Sequence, residues 1–139
     1  MKKLLCTLSF GLFTLSAAQD WKTDDQYIQN FAKYAVEEME LYKIPASIKL
    51  AQGLLETGGG QSRLAKEGKN HFGIKCKEDW TGKTMRHTDD APNECFRVYE
   101  DPRQSYRDHS IFLSTRKYYT GLFKLDIKDY KAWAHGLKK

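Results

Sequence analysis

Gln52-Gly53-Leu54-Leu55-Glu56-Thr57-Gly58-Gly59-Gly60-Gln61-Ser62 runs an acidic residue straight into three consecutive glycines. Upstream, Pro45 supplies a φ suited to a first helical turn. Ile48, Ala51 and Leu55 then recur with helical period, which predicts a helix from Pro45 to Glu56 with those three on its apolar face. Lys49, Gln52 and Glu56 share the neighbouring face at i, i+3 and i+7, so the last turn presents an amide and a carboxylate together. Gly58 to Gly60 stop the helix, because glycine tolerates the left-handed conformation of a helix C-terminus and lets another backbone or a ligand come close.

A carboxylate in that position sits at the negative end of a helix dipole and beside apolar side chains that solvate it poorly, and both effects raise its pKa. A glutamic acid still protonated near neutral pH is what donating a proton to a glycosidic oxygen requires. An ordinary surface glutamate before a glycine cap satisfies the same spacing.

Outward from this stretch the chain reads as helices around a short extended segment. Thr23 and Gln26 form a capping box for a first helix in which Tyr27, Ile28, Phe31, Tyr34, Ala35, Met39 and Tyr42 keep the period and Glu37, Glu38 and Glu40 form the solvated side. Ile44-Pro45 breaks it, and residues 61–67 suit a short third helix closed by Gly68. Helical period disappears at Asn70-His71-Phe72-Gly73-Ile74-Lys75. Residues 83–88 and 94–99 are then extended candidates for a small hairpin, stitched at its base by Cys76 and Cys95, with Asp89 and Asp90 in the connection. Two aspartates in a turn commonly bond only their own backbone. Asp101-Pro102 starts a fourth helix carrying Tyr106, His109, Ile111, Phe112 and Leu113. His109, among aromatic neighbours, suits a packed or hydrogen-bonded role better than that of a base. After a loop through Gly121, Asp126 is the expected cap of a last helix with Tyr130, Trp133, Ala134 and Leu137 as its stripe.

At 139 residues the chain suits one domain with one core. Lys2 and Lys3, an apolar run over residues 4–15 and Ser16-Ala17-Ala18 read as a secretory signal cut after Ala18. This predicts a leader at 1–18, a domain at 19–139, a secreted or periplasmic location and no membrane anchor after cleavage. Cys6 leaves with the leader. Without Lys2 and Lys3, 21 basic residues face 18 acidic ones, a formal +3 rather than +5. Such a mild bias suits a polyanionic wall or membrane surface, and the absence of any Lys/Arg run argues against nucleic acid. In an oxidising compartment the remaining Cys76 and Cys95 are most simply a disulfide, worth about 3 kcal/mol. Two cysteines without a local histidine cluster are too few for zinc.

The run from Ile44-Pro45-Ala46-Ser47 through Leu50-Ala51-Gln52 to Glu56-Thr57-Gly58-Gly59-Gly60-Gln61-Ser62, then Leu64-Ala65 and Asn70-His71-Phe72-Gly73-Ile74-Lys75, resembles glycoside hydrolase family 73. These are bacterial endo-β-N-acetylglucosaminidases of the cell wall, with the flagellar rod hydrolases among them. The likeness continues through Phe96-Arg97-Val98-Tyr99 and Ser105-Tyr106-Arg107-Asp108-His109, and the cysteine pair around Trp80-Thr81-Gly82 looks like a secreted Bacteroidetes branch. The resemblance implies an α+β, mostly helical, lysozyme-like fold: a helical lobe, a small β-hairpin lobe and a saccharide groove between. Glu56 takes the family's general-acid position, and the second carboxylate falls on Asp89 first and Asp90 second, aspartates where the family usually has glutamate.

The expected substrate is peptidoglycan, cleaved after N-acetylglucosamine by a monomer without metal or other cofactor. Gln52, Asn70, Phe72, Trp80 and Tyr99 are the expected saccharide contacts. Family members continue into a Gly-Tyr-Ala-Thr segment whose tyrosine lines the site. This sequence ends at Lys139 before one, so the expectation is either a C-terminally short domain from a truncated copy or another tyrosine, Tyr118 or Tyr119, as a stand-in. A muramidase or lytic transglycosylase uses a lone glutamate at a similar helix end, and a non-catalytic wall-binding module is the alternative from another class.

Overall fold

The computed structural model describes residues 24–138. The expected leader and the expected cap Thr23 lie outside the described residues. Helix α1 (Asp24–Tyr42) buries Tyr27, Phe31 and Ala35 on one line, and Glu38 continues that line. The expectation that Glu38 is solvated is therefore corrected: it is fully buried, and its carboxylate accepts from Arg107 Nε at 2.9 and 3.2 Å. At 3.6 residues per turn, position 38 falls under Phe31 and Ala35, so burial here requires an ionic partner.

Helix α2 (Ala46–Thr57) packs against α1, and its buried face is not the one the spacing suggested. Ile48, Lys49, Gly53 and Thr57 are buried, whereas Ala51 is exposed and Leu55 is 78% exposed. Gly53 is the reason. A Cβ there would lie 2.4 Å from the Tyr27 hydroxyl, so the residue without a side chain turns toward α1 and carries Ala51 and Leu55 outward. The helix stops as expected. Gly58, Gly59 and Gly60 have φ of 55°, 70° and 84°, and the Gly58 cap returns N–H groups to Leu54 and Leu55 carbonyls. Ser62 caps a one-turn α3 (Arg63–Lys66) by accepting from Ala65 N at 3.2 Å.

Strands β1 (Thr84–His87) and β2 (Glu94–Arg97) pair antiparallel, with Thr84 opposite Arg97 and His87 opposite Glu94. The expected position of the cysteine pair needs correction. The sulfurs of Cys76 and Cys95 are at bonding distance, 2.03 Å, but Cys95 lies toward the turn of the hairpin rather than its base. The incoming chain explains this: Lys75 bridges Phe96 and Cys76 N donates to Cys95 O, so residues 74–76 run along the free edge of β2.

Helix α4 (Pro102–Thr115) begins with the expected Asp101 cap, which accepts from Arg103 N at 2.8 Å, with Gln104 completing a capping box. The loop expected after it contains a 3₁₀ helix, Thr120–Lys124, whose Leu122 is buried. Helix α5 (Tyr130–Leu137) is capped by Asp129, not Asp126: Asp129 Oδ1 accepts from Ala132 N, while Asp126 closes its own turn by accepting from Lys128 N. In α5 only Trp133 is fully buried, and Tyr130 is 53% exposed.

Two clusters form the interior. Tyr27, Phe31, Ala35, Phe72 and Tyr106 bring α1, α4 and the loop after α3 together, and Ile44, Ile48, Leu113, Leu122 and Trp133 join α2, α4, the 3₁₀ helix and α5. The architecture is thus mostly helical with one small antiparallel hairpin, as predicted. Among the described residues, no helix is long and apolar enough to cross a membrane.

Candidate active site

An open groove of about 1050 Å³ is lined by Gln52 and Glu56 from α2, by residues 72–75 from the loop before the hairpin, and by His109, Ile111 and Phe112 from α4. Glu56 reaches it because the αL cap ends α2 one residue later. Its carboxyl keeps contact with solvent, yet partial enclosure by the groove wall raises its pKa above the ordinary glutamate value, and the charges of Asp89 and then Asp90 raise it further. Asp89 and Asp90 themselves are exposed in the hairpin turn and do not line the groove, so they act on Glu56 through their charge.

The two aspartates are held differently. Asp90 Oδ2 lies 3.5 Å from Lys75 Nζ, which also binds Glu94 Oε2 at 2.6 Å. Among the described residues the Asp89 carboxylate has no such cation. Asp89, Asp90 and Glu94 place carboxylate oxygens within 4.8 Å of one another, and Lys75 is the counter-charge already in their midst.

Of the expected saccharide contacts, Gln52, Phe72 and Tyr119 line the groove. Gln52 Oε1 itself is buried without a hydrogen-bond partner, so the residue lines the groove with the rest of its side chain. The other expected contacts do not line it. Asn70 is buried and clamps the hairpin to the helical body: its Nδ2 donates to Ile74 O and Arg97 O, and its Oδ1 accepts from Ile74 N. Trp80 and Tyr99 line a separate hollow of about 390 Å³ with Arg103, Gln104, Arg107 and Asp108. Arg97 lies over the Trp80 ring at 4.8 Å, and the Tyr99 hydroxyl donates to Asp108 at 2.8 Å. Tyr118 stands off the groove, 65% exposed and edge-on to Tyr119.

Sequence reasoning passed over a buried pair at the groove floor. Lys49 Nζ lies 2.8 Å from His109 Nδ1, and the His109 ring stacks on Phe72 with centroids 4.1 Å apart and planes 6° from parallel. Burial depresses the Lys49 pKa to about 7, with the Glu38 charge opposing that shift and Arg107 adding to it. Burial, and secondarily Lys49, holds His109 well below the usual histidine range. The available signal was the lysine on the Gln52 and Glu56 face, one turn before the glutamine. A second polar chain runs beneath: the Tyr27 hydroxyl contacts Tyr106 at 2.9 Å and His71 Nδ1 at 2.7 Å, and burial lowers His71 to about 4.

A helical body and a hairpin flanking a groove, with a raised-pKa glutamate on the helix end that faces it, define the lysozyme-like class of fold. Residues 32–139 match the glucosaminidase family, described as mannosyl-glycoprotein endo-beta-N-acetylglucosaminidase, and the chain belongs to that family. It is 28% identical to an autolysin of Enterococcus faecalis over 88% of this chain and 19% of that protein. To the peptidoglycan hydrolase FlgJ of Vibrio parahaemolyticus it is 27% identical over 68% of this chain and 34% of that protein. The chain therefore spans a fifth to a third of the curated relatives it matches. The glycoside hydrolase domain of Salmonella typhimurium FlgJ superposes with a TM-score of 0.71 at 23% identity, covering 84% of this chain and 75% of that one, which shows the shared fold.

Proposed function

We propose that this protein is a cell-wall glycosidase that hydrolyses the β-1,4 bond after N-acetylglucosamine in peptidoglycan. The observation that carries the reading is Glu56, at the end of α2 over the groove, with its pKa raised by desolvation and by two aspartates. A carboxylic acid that holds its proton more tightly than an ordinary glutamate donates it to the leaving glycosidic oxygen as an oxocarbenium-like transition state develops. The printed names of relatives in E. faecalis and V. parahaemolyticus, an autolysin and a peptidoglycan hydrolase, support the wall as substrate.

Asp89 is the second carboxylate in this reading, because Asp90 is engaged by Lys75. An inverting role for Asp89 needs the two carboxyls about 6.5 to 9.5 Å apart with water between them. The alternative second step uses the substrate's own acetamido oxygen as nucleophile. Gln52 and the rings of Phe72 and Tyr119, which line the groove, contact the sugars. Export fits the pairing of Cys76 with Cys95, since such bonds persist in oxidising compartments.

The test is digestion of purified peptidoglycan followed by mass spectrometry. Reducing N-acetylglucosamine ends support the assigned bond, whereas reducing or anhydro muramic acid ends point to a muramidase or lytic transglycosylase. Wild type and Glu56→Gln that both sediment with wall and solubilise equally little of it leave only a binding module.

A further inference from the structure

Lys49 is an expensive residue to keep where it is: fully buried, on the same face of α2 as Gln52 and Glu56, in a place where an aliphatic side chain would pack without losing hydration. The groups facing it come from three elements. Glu38 on α1 and Arg107 on α4 act on its charge, Phe72 lies with its ring centroid 5.2 Å from Nζ, and the one hydrogen bond described for Nζ is to His109 on α4, at 2.8 Å.

Below about pH 7 Lys49 is an ammonium group, which carries donors and no acceptor, so the ring nitrogen that meets it then accepts. In a neutral imidazole the proton then resides on the other nitrogen, Nε2. Stacking on Phe72 fixes the plane of the ring. Among the described residues Nε2 has no hydrogen-bond partner, yet it is not one of the sealed, unpaired atoms, unlike Nε2 of His71, and His109 lines the groove.

We infer that Lys49 is a positioning residue that locks His109 as its Nε2–H tautomer, so that the imidazole donates a hydrogen bond to an acceptor oxygen of the saccharide in the groove. This rests on the groove being a saccharide site. It gives the buried lysine a task on the substrate side of α2, one helical turn from Gln52 and two from Glu56. It also makes His109 a donor rather than a base.

Nitrogen-15 NMR of the imidazole at pH 6, where Lys49 is an ammonium, reads the tautomer directly. The expected spectrum has an unprotonated Nδ1 and a protonated Nε2, and adding an N-acetylglucosamine oligomer shifts the Nε2–H resonance. On peptidoglycan, His109→Phe keeps the stacked ring without the donor and lowers kcat/KM about tenfold, the loss of one neutral hydrogen bond. Lys49→Met lowers it to a similar extent, the double variant loses no more than either single one, and His109→Gln, which retains a side-chain N–H, recovers part of the loss. A wild-type ring protonated on Nδ1, an Nε2–H resonance indifferent to the oligomer, or wild-type turnover by His109→Phe overturns the inference. Wild-type protein that shows the tautomer and the shift but releases no reducing ends supports the inference and sinks only the hydrolase reading.

Discussion

Replacing Lys49 by methionine should stabilise this protein while impairing it. Lys49 is pushed from 10.5 to about 7 by burial, so keeping it charged in the folded state costs about 5 kcal/mol, an order-of-magnitude figure for so enclosed a group. Methionine has a similar unbranched reach and leaves Glu38 paired with Arg107, but it abandons His109 Nδ1, at a cost of roughly 1–3 kcal/mol. The expected net gain at pH 6 is therefore about 2–4 kcal/mol, or a rise in Tm of roughly 6–12 °C for a chain of this size. The pH dependence has a definite sign. Between about pH 7 and 10.5 the unfolded chain holds a proton at Lys49 that the folded chain has released, so wild-type stability climbs with pH and the advantage of methionine shrinks. Thermal unfolding followed by circular dichroism at pH 6, 7.5 and 9, for both proteins in one buffer series, measures it. A variant melting at or below wild type at pH 6, or a gap of constant size up to pH 9, refutes the account of Lys49 as a strained cation.

Glu56→Gln should solubilise no wall and yet melt higher than wild type at pH 7. Protonated Glu56 contributes stability that is lost as pH rises through its raised folded-state pKa, so the difference should close near pH 3, and a variant that melts lower at pH 7 contradicts the assigned shift. Gly53→Ala should destabilise. The new Cβ would meet the Tyr27 hydroxyl at 2.4 Å, and that hydroxyl is held by His71 and Tyr106. Overpacking costs about 1–3 kcal/mol against the roughly 1 kcal/mol that alanine gains over glycine in a helix, and an unchanged or higher Tm would show the tyrosine free to move aside.

The sequence alone determined the local events that depend on neighbours in the chain. Gly58 to Gly60 ended α2 because their positive φ values are open to glycine at little cost, and Asp101-Pro102 started α4 because a cap and a fixed φ act within one turn. Those two facts placed Glu56 at a helix end and the start of α4, and the extended candidates at 83–88 and 94–99 placed the hairpin between them. Which face of α2 turned inward was decided by tertiary structure: the apolar period favoured Ala51 and Leu55, but close approach of the Tyr27 hydroxyl to Gly53 buried the side carrying Lys49. The same holds for Glu38, whose burial depends on Arg107 sixty-nine residues away, and for Asn70, whose clamp on Arg97 draws it out of the groove. A buried charge is legible only when its partner is known, and the partner comes from another helix.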